Sequence, residues 1–286
     1  METYKDQHFT GERALFKKSD AVIENCLFDD GESPLKEGRD LKVDGCTFSY
    51  KYPLWYGKNH VVSNCKFNEM SRSGIWYTDN SRFINLDIIA PKEFRRCHDI
   101  SLTKIFFHQA HETLFTCDHV TMKDIIAKEG DYFGKDSTDV IVDNLDLEGN
   151  YCFDGGKRIR VTNSKLMSKD AFWNCEDVYL ENCEIEGEYF GWNSKNITMK
   201  NCKVKSHQGF CYIENLIMIN CEIVESDLIF EYCKNIDVDI KNTLASVKNP
   251  ISGTIRSSKI IELILDDPDI KINDLKFVFT SEESRN

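Results

Sequence analysis

Apolar and polar residues alternate along this chain in short runs, with a period of two. Val178 and Leu180 are apolar where Tyr179 and Glu181 are not; Asn182 breaks the run, and Cys183 and Ile185 resume it. Such alternation predicts half-buried strands. The unit recurs as VIENCLF (22–28), VDGCTF (43–48), VVSNCKF (61–67), VYLENCEIEG (178–187), ITMKNCKVKS (197–206) and LIMINCEIVE (216–225). Its cysteines are Cys26, Cys46, Cys65, Cys183, Cys202 and Cys221. Leu86, Ile105, Ile125, Leu145 and Ser164 fill the gap between them and Ile240 follows, giving twelve positions at steps of 19 to 21 residues.

The residue before each of these is Asn25, Gly45, Asn64, Asn85, Lys104, Asp124, Asn144, Asn163, Asn182, Asn201, Asn220 or Asp239. All but Lys104 are types that tolerate a left-handed bend, so each repeat reads as strand, one-residue corner, strand. A second inward column runs Leu15, Leu35, Leu54, Ile75, Phe94, Leu114, Gly134, Phe153, Phe172, Gly191, Phe210, Phe230. Three residues later comes a column of small residues, including Cys97, Cys117, Ser137, Gly156, Cys175, Ser194 and Cys233. Three short strands per repeat of about twenty residues predict an all-β protein: a right-handed single-stranded parallel β-helix of about 12 coils. The expected layout is one domain over 1–286, with an N-terminal cap at 1–12, coils over 13–244, and a final coil (SSKIIELIL, 257–265) and C-terminal cap within 245–286.

Composition narrows the function classes. Gly and Pro together make about 7 % of the chain, against about 12 % on average, which excludes collagen-like or low-complexity architecture. The net charge of −12 argues against nucleic acid or an anionic membrane as partner. No apolar run approaches the roughly 18 residues of a membrane span, and the start, METYKDQHFTGER, shows no apolar signal core, so a cytoplasmic location is expected. Ten of the twelve cysteines fall in the post-corner column and the column of small residues. They are expected to be reduced packing residues rather than a disulfide framework, and no CxxC pair suggests a zinc ribbon.

Stacked coils bring equivalent residues together. Asp146, Lys165, Glu184, Lys203 and Glu222 alternate in sign, as do Lys157, Glu176, Lys195, Glu214 and Lys234; both read as register-setting surface ladders. One column differs: Phe16, Lys36, Trp55, Trp76, Arg95, Phe115, Lys135, Asp154, Trp173, Trp192, Cys211, Glu231. It holds every tryptophan of the chain and, carrying charges, is expected to face outward. The positions beside it add Glu93, Thr113 and Phe133, then Lys92, Glu112, Tyr132, Tyr151, Asp170 and Tyr189, then His111 and Asp131.

Exposed aromatics suit a covering ligand, and a sugar polymer lying along the stack is one candidate. Trp55, Trp76, His111, Phe115, Trp173 and Trp192 would bind it. Arg95 and Lys135 would stabilise developing negative charge, while Glu112, Asp131 and Asp154 would exchange protons, in hydrolysis or elimination. The alternative is a non-enzymatic scaffold that uses this face, or the stack ends, for a protein partner or a second copy of the chain. No cofactor or metal is expected. Asp99, His119 and Asp139 would stack as candidate ion ligands, but their column runs through the turns, where Asn and Asp are common for backbone reasons. His108 and His111 fall in a loop and strand and not on a helix.

The coil pattern resembles the pectate-lyase-like β-helix superfamily. Stretches such as FTGERALF (9–16), GESPLK (31–36), KYPLWY (51–56), SGIWYT (73–78), SKDAFWN (168–174) and GEYFGWNSKN (187–196) are similar to a bacterial β-helix family of unknown function. The resemblance implies the fold over nearly the whole chain and no activity of its own. Acidic-polysaccharide lyases and hydrolases populate the wider superfamily, but their catalytic motifs have no residue-by-residue match here.

Overall fold

The computed structural model describes residues 1–280, and the chain divides into two compact units, Met1–Gly149 and the part from Asn150 on. In the first, Asp79–Ile88, His98–Phe107 and Asp118–Ala127 pair in parallel, in the register Phe83↔Leu102↔Met122 and Leu86↔Ile105↔Ile125. In the second, Lys157–Thr162, Glu176–Glu181, Lys195–Lys200 and Glu214–Ile223 pair likewise, aligning Ile159, Val178, Ile197 and Leu216. Each unit is therefore a parallel β-helix, and the chain makes about 15 turns. The count exceeds twelve partly because Glu2–Lys5 and His8–Thr10 pair with Ala21–Glu24 and Leu27–Asp29, forming a turn where a cap was expected. At the other end Gly253–Ser257 pairs with Leu275–Phe279; the last six residues of the expected C-terminal cap lie outside the described residues.

All twelve post-corner positions are buried, from Cys26 to Ile240. Eleven corners, Asn25 to Asn220, have φ between 51° and 64°. Asp239 is the exception: Met218 faces Val238 while Cys221 faces Ile240, so that turn has one corner residue fewer than its neighbour. Asparagine serves the corner twice. It tolerates the left-handed conformation, and its amide carries a donor and an acceptor that link successive turns. Asn85 donates to Asn64 (2.7 Å), Asn64 to Asp44 (2.7 Å), Asn182 to Asn163 (3.1 Å) and Asn220 to Asn201 (2.7 Å).

The cysteines do more than fill space. Each post-corner thiol donates to the carbonyl two residues back, as Cys65 to Ser63 (3.0 Å) and Cys183 to Glu181 (3.3 Å); Ser164 does the same to Thr162 (2.7 Å). In the small-residue column Cys117, Ser137, Cys175 and Ser194 donate to the carbonyls of Phe94, Leu114, Phe153 and Phe172 in the preceding turn, at 2.7–3.1 Å. Thr78 does so to Leu54 (2.6 Å). The requirement is a compact side chain with one donor, which stops a buried carbonyl from going unpaired; Cys, Ser and Thr all meet it. All twelve cysteines are free and buried, and burial pushes the Cys152 thiol up to about 12. Native protein is therefore expected to leave a thiol reagent such as DTNB unconsumed over minutes, with all twelve thiols reacting in denaturant; prompt labelling of several would contradict the packing.

The third side of each turn departs from the expectation of a third strand. It is largely turn; in the second unit Asp170–Ala171 and Tyr189–Phe190 form a two-residue pair, and in the first Trp76, Arg95 and Phe115 make isolated bridges. The reason lies in the backbone: Phe94, Leu114, Phe153, Phe172, Phe210 and Phe230 have φ between 53° and 67°, and Gly134 and Gly191 have φ of 75° and 68°. In the earlier turns the left-handed residues flank the column instead, as Tyr52 and Tyr56 flank Leu54 and Ser73 and Tyr77 flank Ile75. A left-handed residue at this point turns the chain before a strand can extend. Phenylalanines fill the interior as stacks, Phe28–Phe48–Phe67 at 5.0 and 4.9 Å in the first unit and Phe153–Phe172 at 5.4 Å in the second. The expected charge ladder forms contacts at Lys157–Glu176 (3.2 Å) and Lys234–Glu214 (3.1 Å), both at the surface.

Candidate functional site on the aromatic turns

All four tryptophans emerge half-buried from the turn: Trp173 and Trp192 follow the left-handed Phe172 and Gly191, whereas Trp55 and Trp76 precede the left-handed Tyr56 and Tyr77. In the first unit they are built into a closed stack. Trp55 and Trp76 lie parallel, centroids 5.2 Å apart at 9°. Lys36 covers the outer side of Trp55 at 5.9 Å. The Arg95 guanidinium lies between Trp76 (4.8 Å) and Phe115 (4.6 Å). The Trp55 and Trp76 indole N–H groups donate to the carbonyls of Ser73 (2.5 Å) and Lys92 (2.9 Å). Neither indole offers a free face or a free donor, so the expectation that sugar rings stack on Trp55 and Trp76 loses its geometric basis. Tyr56 and Tyr77 form a second parallel pair beside them, at 4.7 Å.

The charged residues of this unit are engaged with one another. Arg95 pairs with Glu112, whose other oxygen is 3.3 Å from Lys92 Nζ. Burial alone would raise the Glu112 pKa, but the hydrogen bonds from Arg95 and Lys92 outweigh it and hold the carboxyl below its ordinary value. A carboxylate so held is a poor proton donor. His111 lies 3.4 Å from Glu129 and 4.0 Å from Asp131, and Lys135 sits 5.3 Å over the Tyr132 ring.

Asp154 belongs to the second unit, where it is 9 % exposed and accepts a hydrogen bond from Asn174 (3.1 Å). Cys211 and Glu231, read from the sequence as outward, are buried. Glu231 can be so because Lys248 (2.9 Å) and Gln208 (2.6 Å) satisfy it.

Trp173 and Trp192 differ from the first pair. They are tilted by 31° at 5.7 Å, and tyrosines meet them edge-on: Tyr151 against Trp173 at 5.6 Å and 89°, Tyr189 against Trp192 at 5.8 Å and 88°. Asp170 is in register with Tyr189 and hydrogen-bonded to the Tyr151 side chain. Asp170 is 2 % exposed, and burial raises its pKa. Its Oδ1 and the Trp173 Nε1 are both buried without a hydrogen-bond partner among the described residues. The sequence places Asp170 in the row beside the tryptophans but carries no sign that it is buried or unsatisfied there.

Repeated turns with single-residue corners and an aromatic third side define a parallel β-helix protein. The chain belongs to the family described as a protein of unknown function, DUF3737, whose profile matches residues 2–278. No curated protein matches significantly. Among solved structures, the periplasmic alginate epimerase AlgG is similar at 12 % identity and a TM-score of 0.36, over 92 % of this chain and 72 % of that one. PfbA, a surface adhesin of Streptococcus pneumoniae, is similar at 10 % identity and a TM-score of 0.34, over 98 % and 84 %. The A-module of the mannuronan C-5 epimerase AlgE4 of Azotobacter vinelandii is similar at 11 % and 0.29, over 98 % and 87 %.

Proposed function

We propose that the protein binds an oligosaccharide at the Tyr151–Asp170–Trp173–Tyr189 nook of its second unit. The observation that carries this reading is the complementary pair of unsatisfied buried atoms, an indole donor and a carboxylate acceptor that share both tyrosines as neighbours. Each such group left unpaired costs about 1–3 kcal/mol. A sugar hydroxyl both donates and accepts, so the hydroxyls of a sugar offer the kind of partner that each group lacks. The tyrosine and indole rings would cover the apolar C–H surface of the same sugar. Binding alone is assigned; the Arg95–Glu112–Lys92 cluster of the first unit is read as a structural tie.

Titration of neutral and acidic oligosaccharides, followed by tryptophan fluorescence, tests this. Saturable binding is expected. Trp173→Phe, which keeps a ring and removes the donor, is expected to weaken it about tenfold, the worth of one buried hydrogen bond to ligand. Trp55→Phe is expected to change affinity less than twofold, because that donor is already used within the fold. No saturable response to any oligosaccharide, or equal affinity in Trp173→Phe, refutes the reading.

A further inference from the structure

A second feature lies at the start of two adjacent strands of the first unit, apart from the aromatic turns. His98 opens His98–Phe107, and Asp118 and His119 open Asp118–Ala127. The register sets Asp118 directly opposite His98 and sets Asp79 opposite His98 on its other side. His98 Nδ1 is 2.5 Å from Asp118 Oδ1, and His119 Nδ1 is 3.2 Å from Asp118 Oδ2. The two imidazoles lie 5.1 Å apart, at 68°. One nitrogen from each ring and one Asp118 oxygen all lie within 4.8 Å of one another. The side chains are 42–58 % exposed, open to an ion from solvent.

The turn column explains why this group stands out. His119 shares its left-handed position, φ 52°, with Asp40, Asn59, Asn80, Asp99 and Asp139. Below it the amides knit turn to turn: Asn59 donates to Asp40 (2.9 Å) and Asn80 to Asn59 (2.8 Å). In the second unit the same device links Asn196 to Asp177 (2.8 Å) and Asn215 to Asn196 (2.7 Å). At Asp99, His119 and Asp139 the amide is replaced three times running by a carboxylate or an imidazole. An ionised carboxylate only accepts, so Asp99 and Asp139 cannot pass the chain on as amides do, whereas carboxylate and imidazole can both ligate a cation.

We propose that His98, Asp118 and His119 form a binding site for a divalent transition-metal ion. Two imidazoles and one carboxylate favour zinc, nickel or copper over calcium or magnesium, which prefer all-oxygen ligands. Ligation at about 2.0–2.2 Å would draw together three atoms that already lie within 4.8 Å of one another, on exposed side chains. The ion takes the place of the His–Asp contacts. Asp79 and Asp99, next in register and in sequence, add negative charge around it. Three protein ligands leave a fourth position for water or an external ligand. The set overlaps the column read from the sequence, Asp99–His119–Asp139, only at His119, because a strand residue and a turn residue converge across the coil boundary.

The test is calorimetry on full-length, tag-free protein dialysed against a chelator, with zinc chloride, nickel chloride and magnesium chloride as separate titrants. One equivalent of zinc or nickel is expected to bind saturably, and magnesium not to. His98→Gln combined with His119→Asn, whose new residue suits the left-handed turn, is expected to weaken zinc binding at least tenfold. Each single variant should weaken it by less, and His207→Gln, at an exposed histidine of the second unit, should leave it unchanged. Absence of saturable zinc or nickel binding, or undiminished binding in the double variant, overturns the proposal.

Discussion

Phe48→Ala is expected to lower the free energy of unfolding by about 3–5 kcal/mol. Phe48 is fully buried and stacked between Phe28 (5.0 Å, 7°) and Phe67 (4.9 Å, 29°). Truncation loses the ring's transfer energy and both ring contacts, each worth about 0.5–1.5 kcal/mol beyond burial. The void cannot close easily. The turns on either side are fixed by backbone bonds from Ser49 N to Phe28 O and from Asn68 N to Phe48 O, both 2.9 Å. Equilibrium denaturation measures the loss. Phe279→Ala, at a ring 60 % exposed, is the reference and is expected to cost less than about 0.5 kcal/mol. A loss below about 1 kcal/mol at Phe48 would mean that the stack is not packed as described.

Glu93→Gln is expected to stabilise the protein at neutral pH, by on the order of 1–3 kcal/mol. Glu93 is 0 % exposed. Its Oε1 accepts the Gly74 N–H (3.1 Å), while Oε2 has no partner among the described residues. Burial pushes its pKa well up, against the smaller opposing effect of the Gly74 and Ile75 N–H groups. An unfolded glutamate titrates near about 4.3. Above that pH, and until the raised folded value is passed, the folded state holds a proton that the unfolded state has released. Stability contributed at this site therefore falls as pH rises through that interval. Glutamine keeps the shape and the acceptor without the charge. Melting curves from pH 4 to 8 should show the variant's advantage growing with pH; a variant less stable than the parent at pH 7 would show that the carboxyl has a partner of its own.

Much of the fold was legible because a helix of stacked turns repeats its demands every 19–21 residues. Inward columns, corners and surface ladders could be read from spacing alone. What the spacing could not carry was hydrogen bonding across turns. The column of Cys, Ser and Thr reads as small residues, and its shared role as donor to a buried carbonyl emerges only when Cys117 is seen on Phe94 and Ser194 on Phe172. The third side misled for a related reason. Left-handed glycine is predictable, but the same conformation at Phe94 or Phe172 is imposed by packing against local preference.

The candidate site was legible in part. The tryptophans do share one position in the turn. Whether a ring is spent on its neighbours, as Trp76 is on Trp55 and Arg95, or keeps an unsatisfied donor, as Trp173 does, depends on the residues above and below. Asp170 carried no distinguishing pattern, since an aspartate in a polar row is ordinarily solvated. Asp118 is next to His119 in sequence, but His98 lies on the adjacent strand, twenty residues from Asp118 and one step outside the turn column read from the spacing.

The most direct measurement is a two-dimensional ¹⁵N–¹H spectrum of the indole region, where the four tryptophans give four separable signals, assigned by single Trp→Phe variants. On addition of a binding oligosaccharide, the Trp173 signal is predicted to move saturably while those of Trp55 and Trp76 stay in place. Movement confined to Trp55 and Trp76, with Trp173 unchanged, would contradict the account.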